Sequence, residues 1–237
     1  MAAIFITGTG TNIGKTFIAA GLIRYLRRSS KQVHAFKPVV SGFDERTLSK
    51  SDPGVLLRAL GRSIDLKEIA RISPWRFGAP LSPDQAARRE GRSVDFGELV
   101  VFSREVDRID TGVVLIEGVG GVMVPLNEQY TVLDWMTELR APLIVVTGTY
   151  LGAISHTLSA IDVIVRRELL VAALVINESL RSTVPIDDTA ETMARFIPGI
   201  DVVTLPRLGP KCKEHAVFGQ IFDIISRIMN LSVRPKS

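Results

Sequence analysis

The residues with the most chemical promise stand close to the amino terminus, in the run Gly8-Thr9-Gly10-Thr11-Asn12-Ile13-Gly14-Lys15-Thr16. Glycines let a backbone wrap tightly around phosphate groups, and successive N–H groups at a helix start carry the positive partial charge that attracts them. In a phosphate-binding loop (P-loop) of this kind, Lys15 reaches the β- and γ-phosphates of a nucleoside triphosphate and the Thr16 hydroxyl ligates Mg²⁺. Nucleotide contact is expected along Gly10, Thr11, Asn12, Ile13, Gly14, Lys15, Thr16 and Phe17. The spacing departs from the common motif: five residues rather than four separate Gly8 from Gly14, and Thr9 stands where the first glycine usually falls. The alternative is a glycine-rich turn without a ligand. The apolar run before it, the Gly-Lys-Thr ending and the helical pattern after it weigh against that.

Three further clusters narrow the chemistry. Lys37-Pro38-Val39-Val40-Ser41-Gly42 follows an apolar run. At the carboxyl end of a parallel strand Lys37 would project toward the phosphates that Lys15 meets; a surface lysine capping a strand is the alternative. Glu117-Gly118-Val119-Gly120-Gly121 follows the apolar run Val113–Ile116. A carboxylate there suits Mg²⁺, which takes one or two carboxylates plus phosphate oxygens; the alternative is a charged turn with glycines for tightness. Asp52, in Ser51-Asp52, reads on its own as a helix N-cap.

These residues need a scaffold, and the pattern supplies one. Apolar β-rich runs at 3–7, 33–37, 113–116, 142–147, 171–176 and 201–205 alternate with helical patterns at 15–28, 96–108, 156–167, 189–196 and 217–229. Strands apolar throughout, with helices between them, predict a mostly parallel central sheet with helices on both faces. The stretch from about 41 to 91, with Pro53, Pro74, Pro80 and Pro83, reads as irregular with short helices at most. One α/β domain over 1–230 and a frayed tail over 231–237 are expected.

Composition sets outer limits. Hydrophobic residues at 46% and charged residues at 23% are those of an ordinary globular protein. The one cysteine, Cys212, has no intrachain partner, which favours a reducing compartment. No run reaches the about 18 apolar residues of a membrane span, and the first seven lack the basic start of a signal peptide. A cytoplasmic protein is expected. The net charge of +4 is scattered, with small clusters at Arg24, Arg27, Arg28, Lys31 and at Arg88, Arg89. Without interleaved aromatics or a recognition motif these read as solvated helix faces rather than a nucleic-acid surface.

The four clusters, in this order and spacing, resemble the dethiobiotin synthetases, whose pattern runs Gly-Thr-x-Thr-x-x-Gly-Lys-Thr, Lys-Pro-x-x-Ser-Gly, Ser-Asp, Glu-Gly-x-Gly-Gly. The resemblance implies a P-loop NTPase fold and an ATP- and Mg²⁺-dependent ligase of biotin synthesis that joins CO₂ to 7,8-diaminononanoate. It implies a Mg²⁺ shell of Thr16, Asp52 and Glu117, a phosphate lysine at Lys15, and a group of Lys37, Thr11 and Ser41 around the carbamate and the transferring phosphoryl. It further implies a backbone contact from Gly118 to the diamine, Asn177 and Pro206 beside the base, and a substrate-carboxylate turn from Leu151 to Ser155 shared across a homodimer. Asn12 and Ser155 depart from residues seen in some members, and 207–215 does not match the base-binding loop. The alternative is a regulatory P-loop ATPase switch of the partitioning or division-site type. Such switches usually carry a second lysine early in the loop, where this chain has Gly8-Thr9-Gly10-Thr11.

Overall fold

A computed structural model describes residues 3–109, 111–180, 182, 184–207 and 214–228. Six strands, β1 (Ile4–Gly8), β2 (Val33–Phe36), β5 (Val113–Glu117), β6 (Leu143–Gly148), β7 (Val171–Asn177) and β8 (Asp201–Leu205), form one sheet in the order β2-β5-β1-β6-β7-β8. Every pairing in it is parallel. All residues of β1, β5 and β6 are buried, as strands covered on both faces require.

Alternation along these strands feeds two cores. Ile4, Ile6, Leu115, Ile144, Val146, Ala173 and Val175 pack on one face with α1 (Lys15–Arg28), α2 (Asp52–Leu60), α3 (Leu66–Ile72) and α9 (Glu214–Ile228). Phe5, Val114, Ile116, Val145, Leu174 and Ile176 pack on the other with α5 (Phe96–Asp107), α6 (Val132–Leu139), α7 (Ala153–Arg166) and α8 (Ile186–Phe196). Gly21 of α1 is the seat of α9: any Cβ there would enter the Phe218 ring.

The predicted helical spans hold to within a few residues, with three instructive differences. First, α7 begins at Ala153 rather than 156, because Gly152 takes a left-handed backbone at φ 95° and opens the helix there. Second, α6 was not anticipated, although Thr131 and Asp134 form a reciprocal capping box at its start. Third, the proline-bearing stretch is better ordered than expected. A short 3-10 helix over Glu45–Lys50, α2, α3 and α4 (Pro83–Arg89) surround a separate two-stranded parallel ribbon of β3 (Val39–Ser41) and β4 (Trp75–Phe77). Three-residue strands carry no periodicity for a sequence to show. The anticipated tail over 231–237 and Cys212 lie outside the described residues. No described helix is long and apolar enough to cross a membrane.

Candidate functional site

The carboxyl ends of β1, β2 and β5 lie side by side, so the residues that leave them converge. β1 runs into the glycine loop, where Gly14 takes φ 102° and delivers Lys15 to the first turn of α1. β2 ends at Phe36 and the next residue is Lys37. β5 ends on Glu117 itself. Together with Thr11, Asn12, Gly14, Thr16, Ser41 and Asp52 they line one cavity of about 820 Å³.

Its electrostatics centre on Glu117, which is 1% exposed. Its Oε1 accepts from the Lys37 ammonium at 2.7 Å and from the Thr16 hydroxyl at 2.7 Å, while its Oε2 is buried without a partner. Lys37, 3% exposed, also donates to the Gly118 carbonyl at 3.1 Å and faces Asp52 Oδ2 at 3.4 Å. Burial alone would lower the Lys37 pKa, but Glu117 and then Asp52 outweigh it, and the ammonium is held above its ordinary value. Lys37 is therefore no strand-capping surface lysine, and Glu117 no solvated turn residue.

Lys15 is in the opposite condition. Its ammonium donates to the backbone carbonyls of Gly10 at 2.6 Å and Gly120 at 2.7 Å, neither of them a charge. Burial first, then the neighbouring Lys37 charge, pulls its pKa down to about 8. A cation so poorly compensated is primed for an anionic ligand.

The oxygens of Thr16, Asp52 and Glu117 form a hard donor set, and the orphaned Glu117 Oε2 gives it spare acceptor capacity. That set fits Mg²⁺, which prefers oxygen and completes its octahedron with phosphates and water. Among the described residues no group of three or more His, Cys, Asp and Glu side chains could hold a metal by itself, so the protein offers a partial shell. Asp52 is not the N-cap of α2: Ser51 is, accepting from Gly54 N at 3.2 Å, and Asp52 is the first helical residue.

The remaining expected residues fall in different places. Ile13 is buried, and its carbonyl accepts from Asn177 Nδ2 at 3.0 Å, which ties the loop to the end of β7. Asn177 pairs with Leu205 across β7 and β8, so Pro206 emerges beside it. Phe17 points off the cavity, 6.5 Å from the Phe218 ring. Gly118 is buried and enters the site through its carbonyl. Leu151 and Ser155 are exposed at the head of α7 and do not line the cavity; Leu151 is 92% exposed. The Ser41 hydroxyl is buried without a partner. Sequence reasoning missed the Gly120 carbonyl, Lys50, Val124, and Pro80–Leu81 on the outer wall. No local signal marks them, since strands and loops far apart in the chain bring them together.

The arrangement offers two cations of different character, one buried carboxylate and a helix start around a cavity of about 820 Å³. Comparison with known proteins gives the same direction. A family model described as an AAA domain matches residues 2–209. The chain is similar to ATP-dependent dethiobiotin synthetase of Acidiphilium cryptum, 45% identical over 198 residues that cover 83% of this chain and 89% of that protein. It is similar to the protein of the same name from Caulobacter sp., 44% identical over 209 residues, 87% of this chain and 89% of that one. Among solved structures it is similar to the cell division ATPase MinD of Pyrococcus furiosus, with TM-score 0.55 at 14% identity, covering 96% of this chain and 100% of that one. A similar likeness joins it to MinD of Aquifex aeolicus, with TM-score 0.55 at 13% identity and complete coverage of both chains. At such identities the likeness shows the fold alone.

Proposed function

The chain belongs to the ATP-dependent dethiobiotin synthetase family and is a ligase, and from that premise we propose how its cavity performs the reaction. The substrate is 7,8-diaminononanoate, and the second carbon source is CO₂. One amine adds to CO₂ and loses a proton to give a carbamate. A carbamate oxygen takes the γ-phosphoryl group of ATP, releasing ADP and leaving a carbamic–phosphoric anhydride. The other amine attacks the carbonyl carbon, inorganic phosphate departs with the bonding pair, a proton is released, and the cyclic urea closes.

The chain's own part is positioning and neutralisation, which dominate phosphoryl transfer. Lys15 holds the β- and γ-phosphates, with the loop amides from Gly10 to Thr16 around them. Lys37 meets the carbamate and the phosphoryl group moving onto it; Thr11 and Ser41 supply hydroxyls to the same atoms. Thr16, Asp52 and Glu117 would hold Mg²⁺, which supplies charge neutralisation on the phosphate oxygens. Gly118 offers its backbone to the diamine. Asn177 and Pro206 border the base. Leu151 and Ser155, at the head of α7, take the substrate carboxylate of a neighbouring subunit in a homodimer. The protein works in the cytoplasm.

The observation that carries this reading is the convergence of Lys15, Lys37 and Glu117 from three adjacent strand ends. Lys37 leaves a different strand end from Lys15, which suits a second anion beside the γ-phosphate. The division-site ATPases share the fold at 12–15% identity and no more. The test is phosphate release with Mg-ATP and bicarbonate, with and without the diamine, followed by mass spectrometry. Diamine-dependent release with dethiobiotin as product is expected; release indifferent to the diamine counts against the assignment of substrate.

A further inference from the structure

Behind the phosphate loop runs a file of three threonine hydroxyls that the reaction described above does not use. Thr9 Oγ1 lies 3.1 Å from Thr147 Oγ1, and Thr147 Oγ1 lies 2.8 Å from Thr157 Oγ1. Thr157 donates to the Ala153 carbonyl at 2.6 Å. Thr147 and Thr157 are fully buried. The file starts in the loop after β1, crosses β6 and ends on Thr157 of α7, which is bonded back to the first residue of that helix.

Its direction follows from counting protons. A hydroxyl has one proton to give. The proton of Thr157 is spent on Ala153 O, so Thr147 must donate to Thr157, and Thr9 must in turn donate to Thr147. Thr9 is thus left with lone pairs only and has no proton for a phosphate oxygen. The residue that stands where a glycine is usual is an anchor of the loop. The other side of the same α7 turn is clamped by a reciprocal pair, Ser179 N to Thr149 Oγ1 at 3.0 Å and Thr149 N to Ser179 Oγ at 3.0 Å. The turn is therefore held between the phosphate loop and the loop after β7.

We propose that Thr9, Thr147 and Thr157 are positioning residues that couple nucleotide binding in the phosphate loop to the order of the turn at the head of α7. Ordering the loop around phosphates fixes Thr9, which fixes the file and stiffens residues 150–157. The inference needs nucleotide at the loop but is independent of which substrate the α7 turn meets. One hydrogen bond of this kind is worth roughly threefold to tenfold in an equilibrium.

Hydrogen exchange of peptides covering 150–157, with and without a non-hydrolysable ATP analogue and Mg²⁺, tests this; calorimetry on the same samples reports occupancy. In the parent chain, saturation slows exchange there by roughly threefold to tenfold. Thr147→Val keeps the volume and removes the hydroxyl: the analogue still binds, and the protection disappears. Thr147→Ser, which keeps the hydroxyl, restores it, an outcome that loss of packing alone would not give. If Thr147→Val does not fold, Thr9→Val breaks the first link from the partly exposed loop and is expected to act the same way. Full protection in a folded Val variant, or none in the saturated parent, overturns the coupling. Failure of the parent to bind the analogue overturns the nucleotide assignment as well.

Discussion

The Lys37 ammonium and the Glu117 Oε1 oxygen sit 2.7 Å apart, both sealed from solvent, and the Thr16 hydroxyl competes for that same oxygen. Glu117 is thus the junction between the element that carries the phosphate loop and the lysine on the neighbouring strand end. Removing either partner strands a buried charge.

Lys37→Gln keeps a hydrogen-bonding group but removes the cation. Turnover is expected to fall by about a hundredfold to a thousandfold, the usual cost of losing one preorganised electrostatic contact. Binding of ATP, measured by calorimetry, is expected to stay within a few-fold of the parent. Turnover within a few-fold of the parent would refute the role at the carbamate.

Glu117→Gln preserves shape and removes the charge. Nucleotide affinity in the presence of Mg²⁺ should weaken by roughly tenfold to a hundredfold, the range for a hydrogen bond to an ionised group. In EDTA the two proteins should differ far less. Equal losses with and without metal would remove Glu117 from the metal shell.

Lys15, with its pKa pulled down to about 8, loses its proton readily in the free protein. Phosphates raise that pKa again, so nucleotide binding takes up a proton above about pH 8 and weakens as pH rises further. Calorimetry at about pH 8.5 in two buffers of different ionisation enthalpy reads the uptake directly; zero uptake would contradict the assignment. The stability term has its own sign. Between about 8 and the ordinary 10.5 the unfolded chain holds more protons at this residue, so its contribution to folding stability rises with pH across that window.

Two loop glycines separate conformation from space. At Gly14, φ is 102° and an added Cβ would collide with the Asn177 amide, whereas at Gly10 nothing lies within 4 Å of it. Gly14→Ala is expected to cost about 1–2 kcal/mol for the left-handed backbone alone, with Asn177 displaced from Ile13 as well. Gly10→Ala should leave the melting temperature unchanged. Thermal unfolding of both variants ranks them, and the reverse order would contradict the loop geometry.

What the sequence made legible was whatever depends on near neighbours. Lys15, Thr16 and Gly14 are fixed by one loop between one strand and one helix, and Lys37 and Glu117 by their places at the ends of apolar runs. The cavity's outer wall was illegible because it comes from a distant pairing, Val39–Ser41 against Trp75–Phe77. α6 was missed despite its capping signal, since an eight-residue helix with four buried side chains resembles a loop with scattered apolar residues. The start of α2 was placed one residue late, with Asp52 at the cap rather than inside the helix, because Ser51 and Asp52 are both good caps and sequence alone does not choose between them.

The β3–β4 ribbon has a mechanical consequence. It begins two residues after Lys37 and is bound into its own pairing rather than into the six-stranded sheet. Its far end is stitched by Gly42 N to Ala79 O at 3.0 Å and Phe43 N to Phe77 O at 2.9 Å. Ser41 and the Pro80–Leu81 wall are consequently fastened to one unit, which Trp75 N ties back to the Pro38 carbonyl at 3.0 Å, while Lys37 N is bonded to the Ile72 carbonyl at 3.0 Å. One short pairing thus sets a hydroxyl and an apolar wall together, separately from the six-stranded sheet whose strand ends set the charges at the cavity floor.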